Sequence, residues 1–256
     1  MRCGYNFYRD IMKTALITGA SGKIGSETVK KFLLDGYFVI GQYNHGENEI
    51  KTLKSSLEKD GLDQMFFPIK CDLAVKQEVD NLIETIKKSF KYIHSLVNNA
   101  GVDLYKLLTE TTEEEWDYLF NVNVKSAFLL TKAFLPSMIE RKAGKIVFVS
   151  SIWGQVGGSM ESVYSATKGA MISFCKALAK EVGLSNINVN CVCPGVIDTP
   201  MNDRFTIEEK EQLCRDCALG RMGKPEEVAS LIGFLCSDQA DYITGQSITI
   251  DGGFTL

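Results

Sequence analysis

Tyr164 and Lys168 stand four residues apart at the start of an apolar-periodic stretch that reads as a helix running to about Val182. On a helix, positions i and i+4 share a face, one turn apart. A free phenol titrates near pH ~10 and is a poor proton shuttle at neutral pH, but a fixed ammonium close by favours the phenolate. Tyr-x-x-x-Lys on one helical face is therefore an acid–base device. Ser151 lies thirteen positions earlier, just past a strand-like run from Lys145 to Ser150. Taken alone, the Tyr–Lys pair reads first as a surface feature of an ordinary helix, so the elements around it decide.

Those elements alternate. Lys13 to Thr18 is a buried-strand run that ends in Gly19-Ala20-Ser21-Gly22-Lys23-Ile24-Gly25, and a helical pattern follows to near Gly36. A glycine-rich turn between strand and helix aims backbone N–H groups and a helix N-terminus at an anion, such as the pyrophosphate of a dinucleotide. The next strand, Tyr37 to Gln42, ends in Tyr43-Asn44-His45 without an acid. An Asp or Glu there would bind the ribose 2′-hydroxyl of NAD; its absence, with Lys23 nearby, points toward NADP. A helix over Glu47 to Lys59, a strand over Met65 to Lys70 closing on Cys71-Asp72-Leu73, and a helix over Val75 to Phe90 follow. Ser95 to Val97 is a short strand ending at Asn98-Asn99-Ala100-Gly101.

Thr112 and Glu115 fit a capping box at the head of a long helical region to about Arg141, with Asn123 amid apolar neighbours. An amide there needs a partner. Gly154, Gly157 and Gly158 read as a flexible loop before the Tyr164 helix. A sixth strand, Asn188 to Cys193, leads into Pro194-Gly195-Val196-Ile197-Asp198-Thr199-Pro200. Residues 200–218 are polar, with a weak helical pattern, and suit a lid over a substrate. Pro225 opens another helix, and Ser247 to Ile250 is the last strand. Alternating strands and helices with short links predict a single-domain, doubly wound α/β fold: a seven-stranded parallel sheet flanked by helices, with ligands at the strands' C-terminal ends.

Composition narrows the classes. The 256 residues are 45% hydrophobic and 23% charged with a net charge of −4, and there is no basic block, so nucleic acid and anionic membranes are not expected partners. No apolar run is long enough to span a bilayer, and no secretory h-region is evident. The eight scattered cysteines read as free thiols of a cytoplasmic protein. Cys214-x-x-Cys217 lacks a second pair or a nearby His, so no metal site is expected. Residues 1–11 carry no periodicity and read as a disordered extension, or as a start-site artefact preceding Met12.

Thr18-Gly19 with Gly25, Asn98-Asn99-Ala100-Gly101, Ser151, Tyr164-x-x-x-Lys168 and Pro194-Gly195 occur in the order and spacing of the short-chain dehydrogenase/reductase family. The resemblance spans about Met12 to Leu256. The ending Gly223-Lys224-Pro225 … Ile243-Thr244-Gly245 … Asp251-Gly252-Gly253 looks most like the 3-oxoacyl-acyl-carrier-protein reductases. One departure stands out: Lys23 occupies a position where the family usually has Gly, with Gly22 just before it.

The resemblance implies a reaction. NADPH would deliver hydride to a carbonyl, Tyr164 would protonate the alkoxide, and Ser151 would hydrogen-bond the carbonyl oxygen. Lys168 would lower the Tyr164 pKa and bind the nicotinamide ribose, with Asn123 holding a water behind it. Gly19, Ser21, Lys23, Ile24 and Gly25 would cradle the phosphates, and Asn44 would meet the ribose. Asp72, Leu73, Asn99, Ala100 and Gly101 would line the adenosine side and the strand end beyond it. Pro194, Gly195, Ile197 and Thr199 would meet the nicotinamide. The implied substrate is a 3-oxoacyl thioester on acyl-carrier protein or CoA, with Arg141, Lys142 and Lys180 as a basic docking patch. A sugar, steroid or small-alcohol dehydrogenase is the alternative, and a non-catalytic dinucleotide-binding scaffold the alternative of another class. The implied assembly is a homotetramer packed through helices 113–141 and 160–182.

Overall fold

The computed structural model describes residues 12–256; the extension expected at residues 1–11 lies outside them. Seven strands form one all-parallel sheet: β1 (Thr14–Thr18), β2 (Phe38–Tyr43), β3 (Phe66–Lys70), β4 (Ser95–Asn98), β5 (Gly144–Val149), β6 (Ile187–Pro194) and β7 (Ser247–Ile250). Their spatial order is 3-2-1-4-5-6-7, so the chain reverses direction across the sheet between β1 and β4. A crevice opens at such a reversal, outside the carboxyl ends of the strands. The β1 and β6 runs are buried along their whole length, as strands covered on both faces must be.

The helices are α1 (Lys23–Leu34), α2 (Glu47–Glu58), α3 (Lys76–Ser89), α4 (Glu113–Phe120), α5 (Ser126–Arg141), α6 (Trp153–Val156), α7 (Ser162–Val182), α8 (Ile207–Asp216) and α9 (Pro225–Leu235). Helical spacing sets which side chains they bury. In α3, Val79, Leu82 and Ile86 make one apolar stripe. That stripe joins Leu130, Phe134 and Met138 of α5 and Met171, Cys175 and Leu178 of α7 on one face of the sheet. The other face carries Val29, Phe32 and Leu33 of α1, Ile50, Leu53 and Leu57 of α2, and Val228, Ile232 and Leu235 of α9. Three long helices per face is the doubly wound arrangement the alternation predicts.

Thr112 caps α4 through a reciprocal capping box with Glu115, and Pro225 stands at the first turn of α9, both as the sequence suggests. Two local readings differ. The helix expected over 112–141 is interrupted by a π-helical turn, Asn121–Lys125, which inserts an extra residue where Asn123 turns inward. The loop expected at Gly154 holds a one-turn helix instead. A Cβ on Gly154 would lie 2.7 Å from the Lys168 backbone carbon, so this glycine serves close packing of α6 on α7.

Candidate active site

The glycine-rich turn is built by contacts that leave no room for side chains. Gly19 has φ +70°, and a Cβ there would meet the Ala100 Cα at 2.9 Å. A Cβ on Gly25 would sit 2.0 Å from the Gly19 carbonyl oxygen. Thr18 Oγ1 accepts hydrogen bonds from the Asn99 and Ala100 N–H groups, and Asn99 Nδ2 donates back to the Thr18 carbonyl at 2.8 Å. The ends of β1 and β4 are thereby tied together beneath the turn. Gln42, buried at the end of β2, accepts from the Gly19 N–H and donates to the Cys71 carbonyl, adding β3 to the same brace. Gln42 was not among the expected site residues; its only sequence signal is a polar residue in an otherwise apolar strand.

Helix α1 opens with Lys23 and has no acidic residue in its first turn and no side-chain cap. Its free N–H groups and the glycine cradle fit a pyrophosphate. Lys23 is exposed at this end and makes no ion pair among the described residues. Ser21 donates to the His45 carbonyl at 2.9 Å, which fastens the turn to the end of β2 beside Asn44. Asp72 accepts from the Ala74 N–H in a local turn, and the Leu73 side chain is core.

Downstream of the turn, a cleft of about 350 Å³ lies along the carboxyl ends of β4, β5 and β6. Ser151, Tyr164 and Lys168 all line it, as do Ile24, Asn99 and Gly101. Pro194, Gly195, Ile197 and Thr199 form its opposite wall. Gly195 is required there because a Cβ would collide with Asp251 at 2.5 Å, beside the backbone bond from Gly195 N–H to Ile250 O. Residues as far apart in sequence as Ile24 and Thr199 thus converge on one cavity.

The three candidate catalytic side chains are buried: Tyr164 is 7% exposed, Ser151 7% and Lys168 4%. Burial raises the Tyr164 pKa above its ordinary value, against a pull downward from the Ser151 hydroxyl bonded to it. Burial also lowers Lys168, to about 8. The ammonium donates to the Val149 carbonyl at 2.9 Å and lies 5.5 Å from the centroid of the phenol ring. The expectation that Lys168 draws the phenol downward is therefore not met in the protein alone. The desolvation cost outweighs any help from an ammonium already engaged elsewhere. The phenol is held protonated, which is the form a proton donor needs.

Asn123, 1% exposed, uses its amide on neighbours. Its Oδ1 accepts from Val102 N–H, and its Nδ2 donates to the Val102 carbonyl at 2.8 Å and to Thr167 Oγ1 at 3.0 Å. The π turn thus staples the loop after β4 to α7, one residue before Lys168. A Cβ on Gly101 would lie 3.1 Å from Lys168 Nζ and 3.4 Å from Asn123 Oδ1, so glycine keeps that channel open.

Three further side chains were not foreseen: Asp103, Glu161 and Arg204 line the far end of the cleft. Arg204 belongs to the segment expected to act as a lid. Met201, Asn202, Phe205 and Leu213 of that segment also line the cleft, and α8 begins with a capping box between Thr206 and Glu209. That Thr-x-x-Glu pattern was a helix signal the weak periodicity obscured.

The expected basic patch does not form beside the cleft. The Arg141 guanidinium donates to the Ile93 and Ala143 carbonyls and stacks 4.7 Å from the Tyr92 ring centroid. Arg141 ends α5, and in a βαβ unit a helix runs back against its strands. Its C-terminus therefore lies at the opposite edge of the sheet from the site, as does that of Lys180 near the end of α7.

Comparison with known proteins agrees with this geometry. A family model described as short chain dehydrogenase matches residues 13–210. The chain belongs to the short-chain dehydrogenase family. It is 39% identical over 246 residues to the uncharacterised oxidoreductase YmfI of Bacillus subtilis, covering 94% of this chain and 98% of that protein. It is 39% identical over 244 residues to the 3-oxoacyl-[acyl-carrier-protein] reductase FabG of Thermotoga maritima, covering 95% and 98%. Nodulation protein G of Rhizobium meliloti is 35% identical over 244 residues, covering 95% and 97%. The protein is accordingly an NAD(P)-dependent short-chain oxidoreductase. Among the described residues, no helix is long and apolar enough to cross a membrane.

Proposed function

We propose that this enzyme reduces the ketone of a 3-oxoacyl thioester, carried on acyl-carrier protein or CoA, to the 3-hydroxyacyl form with NADPH. The observation that carries the reading is the convergence of Ser151, a protonated Tyr164 and Lys168 in one cleft whose upstream end is a glycine cradle for a dinucleotide. A bound dihydronicotinamide supplies the hydride. Ser151 donates a hydrogen bond to the ketone oxygen, and Tyr164 gives that oxygen its proton as negative charge develops. Lys168, charged below about pH 8, holds the nicotinamide ribose and stabilises the phenolate left behind. Asn123 acts through Thr167 and Val102 to keep Lys168 and the β4 loop in place.

NADPH is favoured because β2 is followed by Asn44 rather than by an acid, and Lys23 stands exposed at the phosphate end. The nearest following acid, Glu47, is paired with Lys70 at 2.5 Å. The exposed Trp116, Phe128 and Ile139 on α4 and α5 support association into a homotetramer, and the free thiols support a cytoplasmic setting. The charged far wall of the cleft favours a second reading, a compact polar ketone or alcohol such as a sugar. Initial rates with acetoacetyl-CoA, using NADPH against NADH, test the first reading. Turnover with NADPH preferred supports it. No turnover of the thioester, alongside oxidation of a sugar or secondary alcohol, replaces it with the second.

A further inference from the structure

The segment 200–216 covers the cleft with very little of its own substance buried. Helix α8 has no buried residue, and its three ion-pairing side chains, Lys210, Glu211 and Arg215, contact only their own segment. An element with so few buried contacts opens at low cost in free energy. Arg204 is the exception. Its guanidinium reaches Asp103, in the loop after β4, and Glu161, in the turn before α7, the latter at 2.6 Å. The guanidinium also lies 4.8 Å from the Tyr105 ring centroid and 5.0 Å from that of Phe205. These two rings pack edge to face on each other, 6.1 Å apart, and give the cation an aromatic seat while its side chain stays 28% exposed.

Glu161 makes this contact more than a surface ion pair. It is 5% exposed, and its second oxygen, Oε2, is buried without a hydrogen-bond partner. A carboxylate in that position depends on its counterion, and removing the partner of a buried charge is far costlier than breaking an exposed pair. The backbone just before it, at Met160, has φ +61°, a left-handed conformation that a side-chain-bearing residue adopts rarely. The Met160 carbonyl accepts from Lys106 N–H at 2.6 Å, which fixes the turn that carries Glu161. The chain thus holds a strained turn and a poorly satisfied acid where Arg204 of the lid lands.

We propose that Arg204 is the latch of the active site: it fastens segment 200–216 over the cleft by bridging Asp103 and Glu161, and so governs how long the reduced cofactor stays bound. Arg204 is a positioning residue, acting through the lid. The inference rests on the cleft being a nicotinamide site, and not on the identity of the carbonyl substrate. Closing the latch also places a positive charge between the two carboxylates nearest Tyr164. Their charge otherwise opposes ionisation of the phenol.

Two readouts test it, in Arg204→Ala and Arg204→Lys. The first is cleavage by a glutamate-specific protease after Glu208, Glu209 or Glu211, followed by mass spectrometry. The second is the release rate of NADPH, and in a parallel arm NADH, by stopped-flow fluorescence. Arg204→Ala should be cut in the lid at least about tenfold faster than wild type and should release the cofactor correspondingly faster. Arg204→Lys, which keeps the charge but not the bidentate fork, should recover part of both. Lid cleavage at the wild-type rate in Arg204→Ala overturns the proposal. So does faster cleavage with unchanged cofactor release, which would make the contact purely structural. If Arg204→Ala does not fold, Asp103→Asn, which removes one of the two partners, must show a smaller rise in both rates for the proposal to stand. If neither cofactor binds, the functional reading has failed, and the cleavage arm alone decides the latch.

Discussion

Lys168 carries a charge at neutral pH that burial has made easy to lose. Desolvation brings its pKa to about 8, and among the described residues only the Val149 carbonyl is a direct hydrogen-bond acceptor for it. The free enzyme therefore holds an ammonium below pH 8 and increasingly a neutral amine above it. The account predicts that kcat/KM falls above about pH 8, approaching tenfold per unit, because kcat/KM reports the ionisation of the free enzyme. A pH–rate profile checks this; a profile flat to pH ~10, the reference range for an unperturbed lysine, would remove Lys168 from the mechanism. The Tyr164–Lys168 spacing was legible in the sequence because helical geometry fixes which residues share a face. The direction of the Tyr164 pKa was not, because it depends on how completely the surrounding core excludes water. Asp103, Glu161 and Arg204 were equally hidden: they lie on three separate loops, and no local pattern links them.

The π turn at Asn121–Lys125 acts on a larger scale. It turns Asn123 inward between the β4 loop and α7, where its amide meets three partners on two elements. Replacing it by Ala would strand the Val102 N–H and carbonyl in a partly buried setting, and each orphaned group costs on the order of 1–3 kcal/mol. Asn123→Ala should therefore lower the urea unfolding free energy by about 3 kcal/mol while also lowering activity. A stability loss below about 1 kcal/mol would mean that water replaces the amide without penalty. Helix propensity gives no sign of such a turn, since Asn121-Val122-Asn123 differs little from an ordinary helical run. By contrast, the β1 turn could be read from its glycines, and the caps of α4 and α9 from Thr112, Glu115 and Pro225. Their geometry is set by neighbours in sequence. The misplaced basic patch came from treating Arg141 as a surface charge, when its position at the C-terminal end of α5 sends it to the opposite sheet edge.

At the scale of the whole molecule, the same sheet that gathers the site at one edge buries a titratable group at the other. His94, preceding β4, accepts a hydrogen bond from the Thr14 N–H through Nδ1 at 2.9 Å. Burial, with Arg141 and Lys13 adding positive charge, lowers its pKa to about 4. The native state therefore refuses a proton that the unfolded chain takes up near pH ~6.5. Stability from this group is complete above that pH and is lost as pH falls toward 4. The melting temperature should decline over this interval, and His94→Gln should flatten the decline. An unchanged slope in the variant would assign the acid sensitivity to other groups. The seven-stranded parallel sheet was legible in outline, because alternating buried runs and amphipathic helices admit few arrangements.

In the proposed reaction the Tyr164 hydroxyl delivers the proton when hydride reaches the ketone. The most direct measurement is single-turnover NADPH oxidation with acetoacetyl-CoA in wild type and Tyr164→Phe, with cofactor binding measured in both. Tyr164→Phe should bind NADPH as wild type does but react at least about a thousandfold more slowly, in the range of losing a general acid. A variant that still reacts within about tenfold of wild type would show that the proton comes from elsewhere.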